Sequence, residues 1–139
     1  MSIQNTVEQV KKHEGFRQHP YYCTAEKLTI GYGRNLDDAG ISKQEAETLL
    51  LNDLNLRKAG IKRNINTCYC NGARFAVLLN MAYNLGLEGL FAFKKTLSYI
   101  ENGEFEHAAI EMLESRWAKQ LPKRAKELSL QMKTGEWQS

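Results

Sequence analysis

Long apolar runs are missing from this 139-residue chain. None reaches the roughly 20 residues that a helix needs to span a bilayer, so stable membrane insertion is not expected. The first residues, MSIQNTVEQVKKHE, hold neither an apolar h-region nor a small-residue cleavage site. The expectation is therefore no secretory signal, with synthesis and folding in a cytosol. Cysteine is scarce and odd in number, with Cys23, Cys68 and Cys70. Such a trio fits a reducing compartment and argues against a disulfide framework. Cys68 and Cys70, in NTCYCNG, are too close to bond easily to each other, and no second Cys or His pair stands at ligand spacing. Free thiols, buried or half-buried, are expected, and neither metal nor cofactor. Repeats, low-complexity tracts and long linkers are absent as well.

What is there belongs to a folded globular protein: 42% apolar and 25% charged residues. The length fits one domain, or two small lobes sharing a core. A net charge of +3 and a pI near 8.7 suit an anionic partner, whether cell wall, membrane surface or nucleic acid. Nucleic acid would require a clustered cationic face and a recognised motif, and neither is found. The cations of PKRAKELSLQMK, Arg124 apart, fall at the spacing of an ordinary solvated helix face.

Periodicity then divides the chain. A first helix is expected from Ser2, as N-cap, to about His13, with Ile3, Val7, Val10 and Glu14 on one face and Gly15 as C′ residue. From Tyr21 to Asn35 the pattern alternates, with Leu28, Ile30 and Tyr32 on one side and Thr29, Gly31 and Gly33 on the other. TAEK reads as the turn joining this strand to YYC. The face with Thr29 and two glycines has almost no bulk, which leaves room for close approach to the backbone. Ser42 and Glu45 form an S-x-x-E capping box, with Ile41 and Ala46 as a hydrophobic staple, for a helix that should end near Gly60. The segment GARFAVLLNMAYNLG, closed by Gly86, reads as the central core helix. FKKTLSYIENG and EFEHAAIEMLESRWAKQ follow as amphipathic helices, and Pro122 opens a last helix closed by Gly135. This gives a small β-containing lobe at about residues 15–40 and a connecting helix at about 42–59. A helical lobe at about 61–139 would also include helix 2–13, and a cleft between such lobes is a natural ligand site.

Three side chains around the hairpin invite a chemical reading. On the apolar face, and at the negative end of a helix dipole, Glu14 should hold its proton unusually well, as a general acid must. An interior Glu tied to Arg116 or Arg124 is the alternative, and the two readings are compatible. Cys23 taken alone is a small apolar group, since no nucleophile motif surrounds it despite His13 and His19 nearby. Thr29 alone is an ordinary strand residue.

Taken together they resemble one family. Glu14, eight residues, Cys23, five residues, Thr29, with EG directly after the helix and TIGYG closing the strand, is similar to the pattern of the phage-type lysozymes. These are the endolysins of glycoside hydrolase family 24, whose middle position is Asp in some members and Cys in others. The resemblance continues through ISKQEAETLLLNDL, ARFAVLLNMAYNLG, SRW at 115–117 and PKRAKELSLQMKTGEW, so it covers nearly the whole chain. It implies an α+β, mostly helical, lysozyme-like two-lobed fold, with a β-hairpin lobe and a helical lobe joined by a long helix. It also implies a muramidase cleaving the β-1,4 bond between N-acetylmuramic acid and N-acetylglucosamine. On that resemblance Glu14 protonates the leaving oxygen, while Cys23 and Thr29 position water on the opposite face, an inverting displacement. Arg124 would support the acid, and Asn35, Tyr83, Asn84 and Thr96 would contact substrate. The stretch from Thr29 to Ser42 is short beside larger members and is expected to carry no extra helix.

The implied partner is bacterial peptidoglycan, met by a monomer after a holin opens the membrane during phage-mediated host lysis. Competing readings are a lytic transglycosylase, which would use the acid but no water, and a wall-binding module with weak catalysis.

Overall fold

The structure is a computed structural model that describes residues 3–139. Its contacts divide the chain into a first unit ending at Thr48 and a second beginning at Leu49. The fold is α+β and mostly helical, with one three-stranded antiparallel sheet, as expected for a lysozyme-like chain.

In the first unit, α1 covers Ile3–Glu14; the N-cap expected at Ser2 lies outside the described residues. Gly15 ends the helix with φ of 73° and donates its N–H to Lys11 O at 2.9 Å. One expectation is corrected here. Ile3, Val7 and Val10 are exposed and so is Glu14, so the acid does not continue a buried stripe. The unit has almost no core of its own, Thr29 being its one buried side chain among the described residues.

Three strands follow: β1 (Arg17–Tyr22), β2 (Leu28–Gly31) and β3 (Arg34–Asn35), paired in that order. The β1–β2 register slips between Arg17 and Tyr21, where Pro20 has no N–H to give the ladder. TAEK forms the turn as read, closed by Cys23 N to Lys27 O at 3.0 Å and Glu26 N to Cys23 O at 2.8 Å. The expected run of alternation ends early, because the chain turns at Tyr32 and Gly33 and comes back as β3. The stretch after it also holds the extra helix that was not expected. This is α2 (Leu36–Ala39), a single turn capped by Asn35 Oδ1, which accepts from Asp38 N at 3.0 Å, and ended by Gly40.

The capping box is formed as read: Ser42 N donates to Glu45 Oε1 at 2.9 Å and Glu45 N to Ser42 Oγ at 3.1 Å. Glu45 also takes two hydrogen bonds from Arg34, at 2.9 and 2.7 Å, which tie β3 to the helix start. The guanidinium, and after it the Ser42 backbone, hold the Glu45 carboxyl down at about 2.

The helix so started, α3 (Lys43–Asn64), runs through Gly60 instead of ending there. Gly60 is buried for packing: a methyl on it would collide with Leu87 Cδ1. In the second unit, α4 (Gly72–Phe91) is the core helix, with Val77, Leu78, Met81 and Ala82 buried, and it breaks at Gly86 as expected. After α5 (Lys94–Glu101), the single helix read from EFEHAAIEMLESRWAKQ is in fact two, α6 (Phe105–Leu113) and α7 (Arg116–Gln120). Ser115 divides them: its hydroxyl donates to Met112 O and accepts from Ala118 N, capping the new start. Finally α8 (Pro122–Thr134) begins on Pro122 and ends at left-handed Gly135. Arg74 and Asn71, at the start of α4, donate to the carbonyls of Met132, Lys133 and Gly135 and so close the end of α8. The core between them joins Ile61, Leu90, Ile100, Met112, Trp117, Leu128 and Met132 to the α4 residues. Among the described residues no single helix is long and apolar enough to cross a membrane.

Alanine at a helical glycine ordinarily stabilises by roughly 1 kcal/mol. Gly60→Ala should instead lower stability by about 1–3 kcal/mol, since overpacking outweighs propensity. Urea unfolding of Gly60→Ala beside Gly60→Ala/Leu87→Ala checks this, with the smaller neighbour expected to restore part of the loss.

Candidate active site

Glu14 is the last residue of α1, and its carboxylate lies against the β2–β3 turn. A methyl placed on Gly33 would stand 3.1 Å from Glu14 Oε2. Around this contact the helix end and the turn are clamped together. Phe16 and Tyr32 pack with ring centroids 5.5 Å apart, and Lys11 Nζ lies 5.5 Å from the centre of the Tyr32 ring. Lys11 and Glu14 are three apart on α1 and share a face, so one helix face meets the turn with both. Of the low-bulk face read from TIGYG, only Gly33, which lies in the turn and not in the strand, meets the carboxylate; a methyl on Gly31 would meet nothing within 4 Å.

Cys23 stands at the other end of β2, at the head of the TAEK turn. The backbone N–H groups of Lys27 and Ala25 hold its thiol below the ordinary value, with a smaller contribution from the Thr29 hydroxyl; burial opposes them. Between the two ends lies Thr29, only 3% exposed, whose Oγ1 donates to Lys27 O at 2.9 Å. β2 therefore carries Thr29 between two flanking turns, one meeting Glu14 at Gly33 and the other headed by Cys23. Asn35 pairs across from Thr29, but its amide is engaged with Asp38 on both sides, accepting from the backbone and donating to the carboxylate at 2.9 Å. Its role visible here is a helix cap.

The remaining candidates lie in the second unit. Tyr83 is exposed on α4, and Asn84 beside it accepts from Trp117 Nε1 at 2.8 Å. That bond fixes the amide so that its NH₂ points away from the indole, a support the sequence hinted at only through the W of SRW. Thr96 is buried at the start of α5 and lines a hollow of about 460 Å³ with Phe93, Lys94, Arg116, Trp117 and Glu111. Arg124 donates to Asn80 Oδ1 through Nε at 2.9 Å and Nη2 at 2.6 Å. Asn80, one α4 turn before Asn84, was not singled out from the sequence. Cys70 is half-buried, whereas Cys68, on the Thr67–Cys70 turn, is exposed, which corrects the expectation for that thiol.

Comparison with known proteins agrees with this architecture. A family model described as Phage lysozyme matches residues 11–132. "Probable T4-type lysozyme 2" of Dictyostelium discoideum is 33% identical, with 96% of each chain covered. "Probable T4-type lysozyme 1" of the same organism is 31% identical over 76% of this chain and 66% of that protein. An "Endolysin" of Acyrthosiphon pisum secondary endosymbiont phage 1 is 25% identical, over 79% of this chain and 75% of that protein. The chain belongs to the phage lysozyme family, a class of muramidase-type peptidoglycan hydrolases.

The two half-buried thiols should titrate in opposite directions. Backbone N–H groups stabilise the Cys23 thiolate, so the hairpin gains stability above the ordinary thiol range and loses it as pH falls through the lowered value. Burial pushes Cys70 up. The rate of alkylation against pH should therefore show a midpoint below the ordinary thiol value in Cys68→Ser/Cys70→Ser protein, and above it in Cys23→Ser/Cys68→Ser protein.

Proposed function

We propose that the chain hydrolyses the β-1,4 bond between N-acetylmuramic acid and N-acetylglucosamine, with Glu14 as general acid. The observation that carries this reading is the Glu14 carboxylate seated against Gly33 on the same hairpin that holds Cys23 and Thr29. Glu14 gives its proton to the glycosidic oxygen as the bond from C1 to that oxygen breaks. Cys23 and Thr29 hold a water on the opposite face of the sugar. Its oxygen bonds to C1 while its proton is released to solvent, and the configuration at C1 inverts. A cysteine in this place carries less negative charge than a carboxylate would. The N–H groups that favour its thiolate act against that difference, so the turn that shapes the hairpin also bears on the water-positioning thiol.

In the second unit, Asn84 offers NH₂ donors oriented by Trp117, and Tyr83 offers an exposed ring suited to a sugar face. We assign both, with Thr96 and Asn35, to saccharide binding, and Arg124 to support of the acid. Anionic peptide stems on the wall would attract a basic protein in a salt-dependent way. The endolysin among the relatives supports deployment in phage-mediated lysis. On this reading a monomer is made in the host cytosol and reaches the wall once a holin has opened the membrane.

Clearing of a peptidoglycan suspension by purified variants checks the roles. Glu14→Gln should lose about 10²–10⁴-fold in rate, the range for a general acid, with an unchanged melting temperature. Cys23→Asp should remain active and Cys23→Ala should be severely impaired; an alanine variant as fast as wild type would remove Cys23 from the reaction.

A further inference from the structure

We infer that Gly33 is a positioning residue: the lack of a side chain there sets where the Glu14 carboxylate stands along the hairpin. This rests on the assignment of Glu14 as the proton donor. TIGYG holds two glycines with left-handed backbones, Gly31 at φ 69° and Gly33 at φ 87°. Backbone freedom alone would account for both. Their surroundings differ, however. A methyl on Gly31 would meet nothing within 4 Å. A methyl on Gly33 would stand 3.1 Å from Glu14 Oε2, 3.4 Å from its Cδ and 3.6 Å from its Cγ. The carboxylate thus lies close on the turn, with ample space for a hydrogen and a tight fit for a carbon.

The turn is braced where Tyr32 meets Phe16 and Lys11, each 5.5 Å from its ring centre. Glu14 is exposed and sits at a helix end, so its flexible side chain is the part that gives way. A side chain at position 33 therefore moves the carboxylate by a few tenths of an ångström and leaves the fold otherwise intact. Proton transfer needs the acid within hydrogen-bond reach of the leaving oxygen, and a misplacement of about 1 Å reduces rates by about 10²-fold. The consequence belongs in kcat, not in substrate affinity.

The two glycines form an internal control, since alanine strains the backbone at both but crowds Glu14 at only one. The experiment measures kcat, KM and melting temperature on soluble peptidoglycan fragments for wild type, Gly31→Ala, Gly33→Ala, Glu14→Gln, Glu14→Asp and Glu14→Asp/Gly33→Ala. Asparagine, which tolerates positive φ better than alanine, is placed at positions 31 and 33 as a second pair in case an alanine variant does not fold. Both glycine positions should lose similar melting temperature. Substitution at 33 should lower kcat about three- to tenfold more than at 31, with KM alike. With aspartate at position 14, one methylene shorter, Gly33→Ala should cost no more kcat than strain alone. Equal kcat losses at 31 and 33, with Glu14→Gln inactive, would overturn the role of Gly33 and leave the acid standing. An active Glu14→Gln would overturn the acid assignment, and the inference with it.

Discussion

The first unit of this protein depends on one close approach, between a carboxylate at the end of a helix and a backbone that has no side chain to offer. Glu14 ends α1, where the helix dipole disfavours negative charge, and its carboxylate then meets Gly33 in a left-handed turn. Each element near it serves that meeting. Gly15 stops the helix directly after the acid, the Phe16–Tyr32 and Lys11–Tyr32 contacts hold helix to turn, and Arg34 anchors the strand after the turn through Glu45. Among the described residues the unit has no sizeable core to do this work, so local caps, turns and charge pairs set the geometry in its place.

At the other end of β2, structure and chemistry share one residue. Cys23 heads a turn whose N–H groups face its sulfur, the arrangement in which a side-chain acceptor stabilises a tight turn. The same groups favour the thiolate over the thiol. Asp and Cys share what such a turn needs: each is a short side chain with an acceptor that the turn's N–H groups can meet.

Much of this was legible in the sequence where the signal is local. The capping box at Ser42 and Glu45, the left-handed stops at Gly15 and Gly135, the break at Gly86 and the TAEK turn are all decided by residues within four positions of one another. The readings that failed needed information from farther away. Gly60 looked like a helix stop, but its meaning lies in Leu87, twenty-seven residues on. The division at Ser115 was hidden because apolar spacing carries through it, and the hydroxyl that makes the break bonds both ways at once. α2 is a single turn too short to show periodicity. Glu14 kept the helical spacing of Ile3, Val7 and Val10, yet spacing fixes a shared face and not what covers it. Among the proposed site residues, Glu14, Cys23 and Thr29 were singled out by their order along the chain. The partners Asn80, Trp117 and, in its contact with the acid, Gly33 are tertiary facts.

The central claim is that the acid at the hairpin works with water, and the product ends test this most directly. Purified peptidoglycan should be digested with wild type and Glu14→Gln, and the chemical form of every new muramic acid end determined. Reducing muramic acid ends, produced by wild type and absent with Glu14→Gln, are the predicted result. Anhydromuramic ends would contradict the account, because they form when the sugar's own hydroxyl displaces the leaving group and leave the Cys23–Thr29 water without a part.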